Sequence, residues 1–140
     1  MSRVADVEFF LMSRLEEFFG DVEDPWQAGF DREMVESSPM ISESYSAFYE
    51  AEGHALRWTG EEHAGRVRFL MTNPYELEVP IEIDCECDRG HIYAIPVLLD
   101  GWHRYMAHRL LKAETIPVSF GGRVDLAEYL RGDIHQVEED

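Results

Sequence analysis

The chain predicts an α+β (or α/β) fold, a small mixed sheet with packed helices. Three observations point there. From Ile81 to Asp88, apolar residues and carboxylates alternate, the period of a strand with one buried face. The apolar run Ile95-Pro96-Val97-Leu98-Leu99 leads through Asp100-Gly101 into residues with helical spacing, Trp102, Met106, Ala107, Leu110 and Leu111. After residue 60, strands and helices alternate along the chain.

At 140 residues this is one domain, long enough to bury a core. Its aromatic and aliphatic content excludes a disordered chain. No run approaches membrane-spanning length and no signal pattern opens the chain, so a cytoplasmic location without membrane contact is expected. The expected organisation is a helical N-terminal extension over 1–60, a core over 61–132 and an acidic tail over 133–140.

Taken in order, Arg3 to Phe19 reads as an amphipathic helix. Val4, Val7, Leu11, Leu15 and Phe18 form its stripe, Phe10 and Phe19 widen it, Ser2 caps its start and Gly20 its end. Asp21 to Gly29 is a loop whose acidic spacing fits no EF-hand. Phe30 to Glu36 is a short helix stopped at Ser37-Ser38-Pro39. Met40 to Ala51 carries both periods, and helix is favoured there. Gly53 to Arg57 breaks the chain. Thr59 and Glu62 form a capping box that starts a helix running to about Met71. His63 and Arg66 share one face of that helix, either as site residues or as exposed charges.

Cys85 and Cys87 fall on the apolar face of the first core strand, as small core residues. Their spacing and number fit neither a disulfide framework nor a zinc site. Asp88-Arg89-Gly90-His91 is a hairpin turn. Pro96 marks the return strand as an edge or a bulge. His108 and Arg109 are assigned to the outer face of the next helix. Thr115 to Phe120 is a strand, and Val124 to Arg131 a last helix stopped by Gly132.

The turn Asp100-Gly101-Trp102-His103-Arg104 carries the candidate chemistry. A Gly turn before a helix exposes amides that have no intrahelical partner, at the positive end of the helix dipole. His103 and Arg104 add two side-chain donors. Asp100 either caps the helix or coordinates Mg²⁺.

Pro80-Ile81, then Leu99-Asp100-Gly101-Trp102-His103-Arg104-Tyr105-Met106-Ala107, then Ile116-Pro117 resemble the ParB/sulfiredoxin superfamily in residues and in the order of parts. The resemblance covers about residues 61–132. In sulfiredoxins the Gly-x-His-Arg turn binds ATP phosphates and x is the reactive cysteine. Here x is Trp102, so reduction of sulfinic acids is not expected. The Asp-Gly-x-His-Arg form is more similar to the ParB-like nuclease and phosphotransfer branch.

The resemblance implies ATP or CTP as ligand, with Mg²⁺, and hydrolysis, phosphotransfer or nuclease activity. It implies phosphate binding by Gly101, His103 and Arg104, with His63 and Arg66 in support, catalytic roles for Asp100 and His103, and Mg²⁺ at Asp100. The alternative is an acidic module without catalysis that binds a basic protein partner, as a transfer inhibitor or polyanion mimic. The net charge of −17, with Lys112 the only lysine, excludes tight non-specific DNA binding on electrostatic grounds.

Overall fold

A four-stranded mixed sheet, order β1-β4-β2-β3, organises the molecule. The computed structural model describes residues 7–43, 58–86 and 92–137. The strands are β1 (Val7–Leu11), β2 (Ile81–Glu86), β3 (Ile92–Asp100) and β4 (Thr115–Gly121). The helices are α1 (Met12–Phe19), α2 (Met34–Ser37), α3 (Gly60–Met71), α4 (Pro74–Leu77), α5 (Trp102–Leu110) and α6 (Val124–Arg131). β2 and β4 run parallel, joined through β3 and α5; the two outer pairs are antiparallel.

The N-terminal stretch corrects the sequence expectation. Among the described residues of that stretch, 7–11 are a strand and Met12–Phe19 is the helical part. The reason is tertiary. Phe10 lies opposite Ile116 on β4 and is fully buried, whereas Phe9 is 58% exposed. An alternating pair followed by Met12 and Leu15 reads equally well as one helical stripe until β4 supplies a pairing edge. Gly20 does cap α1, with φ 71°. The short helix expected over 30–36 shrinks to Met34–Ser37, and α4 is an addition.

In β2, Ile81 and Ile83 are buried while Glu82 is exposed, as the alternation predicts. β3 is an edge strand whose register with β2 shifts, in keeping with Pro96. The core joins sheet residues Phe10, Ile81, Ile83, Leu98, Ile116 and Val118 to Val67 and Leu70 of α3, Tyr105 and Met106 of α5, and Leu126 and Leu130 of α6. Expectations for Ser2, for 44–57, for the hairpin turn at 88–91, for Cys87 and for 138–140 lie outside the described residues. Among the described residues, no helix is long and apolar enough to cross a membrane.

α3 is fixed at its start by the predicted capping box. Thr59 accepts from the Glu62 amide at 3.2 Å, and Glu62 accepts from the Thr59 amide at 2.9 Å. The first helical residue must be glycine because a Cβ on Gly60 would sit 2.4 Å from the Gly29 carbonyl carbon. The loop over 21–29 therefore packs directly on the start of α3.

Phe10→Ala should destabilise the fold by about 3–5 kcal/mol in urea unfolding. Phe9→Ala should change stability by no more than about 0.5 kcal/mol. Equal losses would contradict the strand.

Candidate functional site

The β3–α5 junction has the geometry that the Gly turn predicts. Gly101 is the helix N-cap with φ 113°, a conformation that disfavours side chains. A Cβ there would meet Ile81 Cγ2 at 2.6 Å. The cap is made by no side chain, so Asp100 does not serve as one. Asp100 is exposed and lies opposite Glu82 in the β2–β3 pair.

His103, in the first turn of α5, faces His63 of α3. His63 Nδ1 and His103 Nε2 are 2.7 Å apart. The ring centroids are 5.0 Å apart and the planes differ by 23°. A centroid spacing that close to the nitrogen separation plus two ring radii means that the imidazoles meet edge to edge. One ring nitrogen therefore donates and the other accepts.

Both rings lie against a single indole. Trp26 stacks on His63 at 4.3 Å and on His103 at 4.5 Å, nearly parallel to each. Trp58 closes on the pair at a tilt, 5.5 Å from His63 and 5.7 Å from His103. Trp58 precedes the Thr59 cap and His63 is the fourth helical residue, so this is a staple contact across the start of α3. Trp26 is held by the pinned loop. Asp24 accepts from the amides of Ala28 and Gly29, and Arg109 of α5 binds Asp21 and the Val22 carbonyl.

Burial here overturns the idea of His63 and Arg66 as exposed charges; they are 2% and 4% exposed. His108 and Arg109 are likewise not an outer face. His108 is buried against the Leu77 carbonyl, and Arg109 holds the loop. Burial pushes the His63 imidazole down to about 4, against the opposing pull of Asp24 and Glu62. Burial holds His103 well below the ordinary imidazole value, with His63, Arg66 and Arg104 adding to the effect. Both rings are neutral at pH 7, so His103 stands as a hydrogen-bonding group or base there, not as a ready acid.

The arginines divide by partner. Arg32, Arg109, Arg123 and Arg131 pair with carboxylates. Arg14 and Arg68 donate to carbonyls, and Arg66 donates to the carbonyls of Ile41 and Ser42 at 3.4 and 2.7 Å. Among the described residues Arg104 makes neither kind of contact, and its Nε is buried without a hydrogen-bond partner. Arg104 lies close enough to Arg66 to lower its proton affinity, after the larger effect of burial. The Tyr105 hydroxyl, also buried without a partner among the described residues, is pushed up to about 12 by burial first and Glu16 second.

The structure thus brings together His63, Arg66, His103 and Arg104 beside the Gly101 turn, and leaves Asp100 on the solvent side. Sequence reasoning missed Trp26 and Trp58. The signal for Trp58 was its place directly before a capping residue; for Trp26 the sequence holds no comparable signal. Among the described residues no group of three His, Cys, Asp or Glu side chains is arranged to hold a metal ion. Comparison with protein-family models, with curated proteins and with solved structures gives no match.

Two outcomes follow from this geometry. Gly101→Ala should cost more than about 1 kcal/mol, from left-handed strain together with the Ile81 contact, and should lower the unfolding midpoint in urea. Stability should also fall on acidification. In the unfolded chain the imidazoles take up protons below their ordinary value of 6.5, while the folded His63 resists until about 4. Between those values the unfolded state binds more protons, so stability is lost as pH falls, by up to about 1.4 kcal/mol per pH unit for each imidazole. Urea unfolding at stepped pH reads this slope, and His63→Gln should flatten it.

Proposed function

We propose that the chain is a phosphate-binding protein of the ParB/sulfiredoxin-like type, taking a nucleotide such as ATP or CTP at the Gly101–Arg104 turn. The observation that carries this is Arg104. Its guanidinium is partly buried at the start of a helix, beside a second buried arginine, and lacks a carboxylate or carbonyl partner among the described residues. A buried N–H donor left without a partner is costly, and an anionic ligand that accepts from it removes that cost. A guanidinium fork, helix amides without intrahelical partners and one imidazole N–H suit phosphate oxygens.

Asp100 is open to solvent, as a residue must be to meet Mg²⁺ already carried by nucleotide phosphates. The ion would neutralise phosphate charge against the background of −17. Hydrolysis, phosphotransfer or nuclease chemistry at Asp100 and His103 is the catalytic extension of this reading, and a cytoplasmic location accords with it.

A second reading, a binding module for a basic protein partner, is favoured by the exposed Phe9 and Leu99 on the two edge strands together with the acidity.

Calorimetric titration with ATP, CTP and ADP, each with Mg²⁺, tests the first reading. Arg104→Ala should weaken binding by about one to two orders of magnitude, from a charge-assisted contact of about 1.5–3 kcal/mol. Equal affinities would remove Arg104 from the site. Absence of binding to the wild type would leave the partner-binding module.

A further inference from the structure

The His63–His103 contact ties together the two helices that also carry Arg66 and Arg104. With both rings neutral, one proton lies on the nitrogen–nitrogen axis. A further proton goes to the outer nitrogen of the donor ring and leaves the shared hydrogen bond in place; only a doubly charged pair would set two N–H groups nose to nose.

Among the described residues, charged groups from three elements bear on that step. Arg66 from α3 and Arg104 from α5 repel the proton at His103; Asp24 from the loop and Glu62 from α3 attract it at His63. Glu43 and Glu76 act on Arg66. Trp26 and Trp58 cover the pair with apolar surface and keep these charges poorly screened. A divalent cation between the two imidazoles is opposed by the same guanidinium charges.

We propose that binding of a dianion at Arg66 and Arg104 is coupled to uptake of one solvent proton by the His63–His103 pair, so that the site is a proton-linked receptor for phosphate-type dianions. This rests on the anion-binding reading of the same site. A dianion cancels the two charges that hold the proton off and adds its own attraction. The imidazolium so formed becomes a further charge-assisted donor. By linkage, the proton strengthens anion binding as much as the anion strengthens proton binding.

The direction is fixed. Free His63 protonates at about 4, and the bound state must protonate at a higher pH. Between the two values affinity rises as pH falls; above the bound value it is flat.

The experiment is calorimetry of the full chain with sulfate, which stays a dianion through this range and leaves the protein as the source of any pH effect. Titrations run from about pH 7.5 down to about pH 4.5, close to the value at which free His63 protonates, each in two buffers of different ionisation heat. Affinity should climb toward about tenfold per pH unit on acidification, with uptake approaching one proton per sulfate. His63→Gln should abolish the dependence; if that variant does not fold, the two-buffer measurement on the wild type still decides. Sulfate binding of constant affinity without proton uptake, or an unchanged dependence in folded His63→Gln, overturns the coupling and leaves the anion site standing. No sulfate binding at either end of the range overturns both.

Discussion

One hydrogen bond between two imidazoles, made away from water, sets the terms for this end of the molecule. His63 and His103 come from helices far apart in sequence, and their 2.7 Å contact fixes how α3 and α5 approach. Apolar surroundings keep both rings uncharged, which lets one donate to the other. Were both rings charged, the contact would lose its acceptor. The pinned loop, the glycine at the start of α3 and the indole before the cap all serve to keep that contact covered.

The arrangement also explains how a strongly acidic protein holds a local site for anions. The long-range field is repulsive, with a net charge of −17. At short range, however, Arg66 is engaged by carbonyls instead of carboxylates, and its charge is left uncancelled by a direct partner among the described residues. Arg104 adds a second such charge. Such a site favours ligands that are small enough to enter and bring their own counter-ion, over extended polyanions that must lie along the acidic surface.

Local rules carried much of the fold. Thr59 with Glu62, Gly101 and Gly132 were legible because each is a short-range device whose partners lie within a few residues. The β2 alternation was legible because one of its faces is buried and the other is not. What escaped depends on distant partners. Phe9 and Phe10 became strand residues only because β4 lies beside them. Arg66 looked like a surface charge on a helix, since nothing nearby in sequence announces that 41–42 will cover it. The pairing of His63 with His103, and the placing of Trp26 over both, require the tertiary fold to exist first.

The pairing of β1 with β4 has a consequence for how the chain reaches this state. Phe10 meets Ile116, so the earliest of the described strands in the chain is matched to the latest. Until β4 is synthesised, β1 carries an unsatisfied backbone edge and a large apolar ring in water. Closure of the sheet is therefore a late event of high contact order, which slows folding. During that interval the nascent chain is exposed to mispairing through this strand. Synthesis rate and chaperone supply, more than final stability, should then govern how much of the protein is recovered in native form.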